Sequence, residues 1–198
     1  MKHYIYGAGG HGKVVLDAMH QASLVCDGFV DDKSMSQWAG LPVFSPAILT
    51  QENDIRIHLA IGDCAIRQKI ASSLIAAQLQ SVKHPAAVVS LSAAVGEGSF
   101  LAAGAIVGPN AKVGQHCIIN HHAVVDHDCV VGDFCHIAPH VSLCGGVKIG
   151  HGVLVGAGAV ILPGLSVGDA AIIGAGAVVT KNVESGVTVV GNPAYVIS

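Results

Sequence analysis

The sequence predicts two architectures in series: a Rossmann-like α/β unit of βαβαβα type over residues 1–82, and an all-β parallel β-helix of about five coils over residues 83–198. Three observations carry this. From Val89 to Val179 every sixth residue is aliphatic and branched, with no insertion to break the count. Near the N-terminus a short apolar run is followed at once by a glycine loop and then by a helical pattern. Finally, 52% of the residues are hydrophobic, only 12% are charged and 4% are aromatic, which suits a core of small and branched side chains stacked in register.

In chain order, His3 to Tyr6 reads as a strand, and Gly7-Ala8-Gly9-Gly10-His11-Gly12 as a tight loop opening a helix from Lys13. In that context backbone N–H groups and a helix N-terminus attract phosphate, although the same glycines would also serve a plain strand-to-helix turn. Leu24 to Val30 is expected as a second strand. It ends at Asp31-Asp32, where an acidic pair would meet a ribose hydroxyl or simply make a turn. Ser45-Pro46 should open a short helix, Arg56 to Ile61 should form a third strand ending at Gly62-Asp63, and a helix should run from Ala65 to about Leu79 with Arg67 near its start. There is room for only one half of a dinucleotide fold, so a mononucleotide or nucleotide-sugar is the expected ligand, on Gly9, Gly10, His11, Gly12, Lys13, Asp31, Asp32, Gly62 and Arg67. His11 and Lys13 would meet phosphates; for Lys13 a solvated helix face is equally open.

After Lys83-His84-Pro85 the period changes to six, with small residues four places after each aliphatic one. Such repeats make short parallel strands, three per coil, in a triangular prism. The branched residue fills the interior and the small one lies near the corner, while glycines such as Gly108, Gly114, Gly132, Gly150, Gly156, Gly168 and Gly174 should permit the turns. Cys117 and Cys135 stack one coil apart as core residues. The prism's sides are apolar, which favours closure against further copies as a trimer.

Composition excludes several functions. A net charge of −3 argues against a nucleic-acid binder. No apolar run reaches a membrane span, and MKHYIYGAGG has no signal-peptide core. Six cysteines without paired spacing fit reduced thiols in a cytoplasm. The 12 histidines invite a metal or proton-transfer reading.

YGAGGHGKVV, GFVDD, AIGD with Arg67, the stretch from Asn120 to Gly150, GAGAVILPGLSVG and VVGNPA together resemble the left-handed β-helix, hexapeptide-repeat acyltransferases. Within them the chain is similar to the sialic-acid O-acetyltransferase and nucleotide-sugar N-acetyltransferase subfamily, of bacillosamine or perosamine type. The resemblance spans essentially the whole chain. It implies a left-handed parallel β-helix, a homotrimer with acetyl-CoA in the groove between neighbouring prisms, and a nucleotide-sugar on the N-terminal domain. The product would enter surface glycan or glycoprotein biosynthesis.

It further implies that His127 is the general base and Asp128 its orienting partner. Neutral imidazole is matched to proton abstraction near pH 7, and a carboxylate on the other ring nitrogen fixes the tautomer. Asn120 and His136 match positions that line the acetyl end of the cofactor or the substrate. Half a coil separates His127 from His136, so the two should meet across subunits rather than within one. Gly145, one coil above His127, offers a backbone N–H to the thioester oxygen or is only a turn. Ala157, Gly174 and Ala175 would face coenzyme A, and Lys181 and Asn182 either meet its phosphates or are solvated. No metal is expected. A β-helix carbonic anhydrase site between His122 and His127 would need a third histidine about two coils earlier, and Pro85 to Lys112 contains none. The expected function is acetyl-CoA-dependent N-acetylation of a nucleotide-linked amino-deoxy sugar; O-acetylation of a sialic-acid-type sugar shares every motif, and a non-catalytic nucleotide-sugar sensor would have no use for the His127-Asp128 pair.

Overall fold

The computed structural model describes residues 1–33, 35–51, 54–74 and 78–198, with Gln78 described by its backbone alone. Its N-terminal part comprises β1 (Lys2–Tyr6), α1 (Gly10–Gln21), β2 (Gly28–Val30), β3 (Gln37–Trp38), β4 (Leu41–Phe44), α2 (Ile48–Gln51), β5 (Ile55–Leu59), α3 (Cys64–Ser73) and β6 (Gln78–Leu79). The sheet order is β3-β4-β2-β1-β5-β6, parallel except for the β3-β4 hairpin. Side chains alternate across β1: Ile5 packs with Phe29, Val15 and Met19 on one face, while Tyr4 and Tyr6 pack with Ile57 and Leu59 on the other. Gly12 is required by this packing, because a Cβ there would collide with the Gly7 carbonyl oxygen and lie 3.1 Å from Phe29.

Several expectations are corrected. The second strand starts at Gly28, because the chain after α1 turns on Leu24 N–H to Met19 O and leaves Val25 exposed. The third strand is Ile55–Leu59, shifted one residue towards the N-terminus and ending two residues earlier. The turn at Ser45-Pro46 forms through their carbonyls, with regular helix only from Ile48. The third helix stops at Ser73, where Ser72 and Ser73 hydroxyls bond back to the Gln68 and Ile70 carbonyls. Residues 75–77 of the expected helix lie outside the described residues, and Gln78–Leu79 is a strand parallel to β5.

From Val82 the chain winds into a triangular parallel β-helix. Partners are 18 residues apart, as in Phe100↔Ile118 and Leu101↔Ile119. The three faces carry 8, 6 and 5 strands, which among the described residues gives five complete coils, a sixth closed by the Val167↔Val183 bridge and the first rung of a seventh; Tyr195–Val196 closes the first face antiparallel. The six-residue rank fills the interior: Ile119, Val125, Ile137, Leu143, Val155 and Ile173 are fully buried, each contributing about 1.5–3 kcal/mol of transfer free energy. Small residues four places on, such as Ala105, Ala123 and Ala159, are equally buried. Cys117 and Cys135 are free thiols whose Sγ atoms donate to the carbonyls of Gly132 (3.0 Å) and Gly150 (2.9 Å), as the Ser99 hydroxyl donates to Gly114.

The turns are made by other residues than expected. The left-handed position lies three places after each rank residue, and Asn110, His116, His122, Asp128, Phe134 and His140 occupy it at φ of 53° to 59°. The glycine one place after the rank residue serves close stacking. At Gly108 a Cβ would sit 2.9 Å from the His127 nitrogen of the next coil.

The first face is covered by the chain's own α/β unit. Its outward row Val82, Phe100 and Ile118 shares one core with Ile5, Val15 and Met19. Arg67 locks this seam. It is 1% exposed and donates to the carbonyls of Ile61 (2.6 Å), His116 (2.8 Å), Phe134 (2.7 Å) and Cys135 (3.1 Å), with longer bonds to Gly62 and Asp63.

Candidate active site

His127 and Asp128 sit on the corner between the second and third faces, side chains outward and 59% and 60% exposed. Their corner is made rigid from the backbone outward. Asp128 N–H donates to Pro109 O, Gly146 N–H donates to His127 O, both at 2.9 Å, and His127 N–H donates to Asp126 Oδ1 at 2.7 Å. His127 Nδ1 lies 2.9 Å from Asp128 Oδ2. A carboxylate only accepts, so Nδ1 carries the proton and the Nε2 lone pair is free to take one. The bond to Asp128, reinforced by Asp126, raises the imidazole pKa above its ordinary value, while His127 and Asn110 hold Asp128 below its own.

Gly145 stands one coil above. A Cβ there would overlap the His127 ring at Nε2 and Cε1, so glycine is what allows the imidazole to lie over this corner. Its own N–H has no acceptor among the described residues. Gly145→Ala is therefore expected to push the ring off Asp128 and to lower kcat about a hundredfold, as a displacement of about 1 Å does, while the melting temperature stays close to that of the unaltered chain. Steady-state kinetics beside a thermal melt would check this, and an unchanged kcat would show that the ring moves without consequence.

A second cluster lies across the prism, on the first face. His136 Nδ1 donates to Gly62 O at 3.1 Å, since a carbonyl only accepts. Its Nε2 then accepts from Asn120 Nδ2 at 3.2 Å, and Asn120 Oδ1 accepts from His121 N–H at 2.9 Å. Burial and the Arg67 cation lower the His136 pKa, against the pull of the Gly62 bond. His11 joins this cluster. Its ring meets Phe100 edge-on at 5.2 Å and lies 6.3 Å from that of His136.

The glycine loop stands at the N-terminus of α1. Gly9 caps the helix without a side-chain bond, which leaves its first N–H groups for an anion. Gly9 and Gly10 are exposed, and a Cβ on either would meet nothing within 4 Å. Lys13 Nζ rests 4.4 Å over the Trp38 ring, and Trp38 Nε1 donates to Gly9 O at 3.3 Å. Trp38 is a residue sequence reasoning missed: it lies on the unpredicted hairpin, and only the shared loop contact marks it.

Four expected substrate contacts are buried or bonded within the protein. Burial drives the His11 pKa down to about 3, so it offers no charge to phosphate. Gly12 is buried in helix–strand packing. Asp31 is spent on the loop itself, accepting from Ala8 N–H at 2.7 Å and Lys33 N–H at 2.9 Å. Arg67 is committed to the seam. Asp32 is exposed and accepts from the Tyr6 hydroxyl at 3.3 Å; burial first, and then the Asp32 charge and this bond, push that phenol up to about 12. Of the expected coenzyme contacts, Ala157 and Ala175 are exposed on the corner after the first face, and Gly174 is half-buried under Val190. The described residues contain no group of three or more His, Cys, Asp or Glu able to hold a metal ion. No helix among them is long and apolar enough to cross a membrane.

Comparison with known proteins bears on both parts. Residues 2–74 match the PglD N-terminal domain, and residues 128–163 and 146–181 match the bacterial transferase hexapeptide (six repeats). The acetyltransferase domain of PglB from Neisseria gonorrhoeae FA1090 is 34% identical, with 99% of each chain covered and a TM-score of 0.93. The chain belongs to the nucleotide-sugar N-acetyltransferases of the left-handed β-helix fold. A histidine variant of perosamine N-acetyltransferase from Caulobacter crescentus, solved with CoA and GDP-perosamine, is also 34% identical over 100% of this chain and 97% of that one, at a TM-score of 0.97. UDP-N-acetylbacillosamine N-acetyltransferase of Bacillus subtilis (strain 168) is 34% identical over 108 residues, so the chain matches about half the length of this curated relative (50%). The left-handed β-helix and the α/β unit expected from sequence are thus the family's own architecture.

Proposed function

We propose that this chain transfers the acetyl group of acetyl-CoA to the amino group of a nucleotide-linked amino-deoxy sugar. The observation that carries the reading is the exposed His127-Asp128 pair, with its Nε2 lone pair free and, one coil away, a glycine N–H with no acceptor among the described residues. Full-length likeness to a protein solved with CoA and GDP-perosamine supports the substrate class.

In this reading the sugar amine attacks the thioester carbonyl carbon as His127 Nε2 takes the amine proton. The Gly145 N–H stabilises the oxyanion. Collapse breaks the C–S bond, and the proton held on His127 leaves with the thiolate as coenzyme A. The nucleotide-sugar phosphates lie at Gly9, Gly10 and Lys13, with Asp32 and Gly62 beside them. Asn120, His136, Ala157, Gly174 and Ala175 line the cofactor groove, which small residues leave open.

The assembly is a homotrimer. Support comes from topology: the His127 corner lies opposite the face that carries Asn120 and His136 and meets Gly62 of the α/β unit, so one site can use both only if two copies meet. The outward residues Val88, Ile106 and Val130 on the other two faces are 61%, 40% and 42% exposed and suit such a contact. Free cysteines suit a cytoplasmic location. The test is a screen of UDP-, GDP- and dTDP-linked 4-amino sugars with acetyl-CoA, reading thiol release. Turnover of an amino sugar and none of its hydroxyl counterpart is expected; turnover of the hydroxyl sugar alone would replace this reading with O-acetylation.

A further inference from the structure

We propose that Asn110 is a positioning residue for acetyl transfer, acting on His127 through Asp128. Asn110, Asp128, Gly146 and Gly164 hold the same left-handed place in four successive coils, at φ of 59°, 59°, 70° and 72°. That stacking sets the Asn110 amide under the Asp128 carboxylate, and Nδ2 donates to Oδ1 at 3.2 Å while Oδ2 accepts from His127 at 2.9 Å. Asn110 is itself held, its N–H donating to Ser92 Oγ at 3.1 Å in the coil below. One carboxylate oxygen is therefore occupied from each side.

The consequence is geometric. Asp128 is exposed, and a carboxylate with one partner turns about its last torsion between two near-equivalent states. The amide removes that freedom and keeps Oδ2 facing His127. It does so without adding charge: a carboxylate at 110 would repel Asp128, and an ammonium would compete with His127 for it.

The inference rests on His127 being the base. Asn110→Gly is the direct test, because glycine already serves the same turn at positions 146 and 164 and suits a positive φ. The variant should melt like the unaltered chain. It should lose about tenfold in kcat, the effect of one hydrogen bond to a charged group, with KM unchanged for both substrates. Without the amide, Asp128 pulls harder on the imidazole proton, so the acid limb of kcat/KM should move up in pH. Asn110→Asp, which keeps the side-chain shape, should move it further. In an Asp128→Ala background Asn110→Gly should add nothing.

An Asn110→Gly protein with unaltered kcat and acid limb overturns the proposal, as does an equal further loss in the Asp128→Ala background. Should Asn110→Gly not fold, Asn110→Asp decides on the same two readouts. Titration of the His127 ring by NMR reports the same shift without turnover. A screen that finds no amino-sugar substrate therefore sinks the functional reading while Asn110 stands or falls on the titration.

Discussion

His127→Ala should lower kcat by about three orders of magnitude, the middle of the range for a positioned general base, while melting temperature and oligomeric state stay as they were. The side chain is more than half exposed and buries no core, so its loss costs catalysis and little else. A folded variant with kcat within tenfold of the unaltered chain would remove His127 from the mechanism. Asp128→Asn tests the same bond from its other end. The pair raises the imidazole pKa, and only the neutral ring can take a proton. Activity should therefore rise with pH through a midpoint above the ordinary histidine value. With asparagine at 128 the raising bond is weakened, so that limb should move down, toward 6.5. The rate on the plateau should fall at the same time, because an amide can present either end to Nδ1 and no longer fixes the tautomer. A limb that stays in place would mean that the groups titrating in kcat/KM are elsewhere.

How much of this was legible depended on whether a residue's environment repeats. Positions such as Val125 and Leu143 see the same interior in every coil, so period six shows through the sequence without alignment. His127-Asp128 stood out for the opposite reason, as neighbouring polar residues that the lattice does not need, but the roles proposed for them came from the family resemblance and not from the pattern. Asn110 did not stand out, because its partner is 18 residues away and the contact exists only once the left-handed turn is known. The glycines misled in the same way: the turn falls three places after the rank residue, where the sequence shows Asn, His, Asp and Phe as well as Gly. Gln78-Leu79 continued a helical pattern on paper, yet pairing with β5 decides it, and pairing is a long-range fact. Arg67, near the start of a helix, looked like a substrate contact. Beyond the nearby carbonyls after β5, its acceptors lie 49 and 67 residues further on, at His116 and Phe134, and nothing local announces those.

Arg67→Met should therefore cost stability rather than affinity alone. The guanidinium satisfies carbonyls from the loop after β5 and from two successive coils, at full burial and with no carboxylate partner among the described residues. Methionine fills much of the volume but leaves those oxygens without donors, at about 1–3 kcal/mol for each that water cannot reach. Removing a buried charge returns part of this, so the net loss should be about 3–5 kcal/mol, or a melting temperature lower by about 6–20 °C for a chain of this size. Arg67→Lys should fall between, since an ammonium is a single point of donors and cannot span both coils. The loss should also reach the acetyl-transfer side of the molecule. Gly62 O is shared by Arg67 and His136, so a loosened loop releases the imidazole that Asn120 and Gly62 hold in one tautomer. Thermal melts and amide exchange across β1 and β5 would measure the first effect. A melting temperature within about 2 °C of the unaltered chain would mean that water replaces the guanidinium at the seam, and the lock would then belong to the apolar contact of Phe100 and Ile118 with α1 and β1.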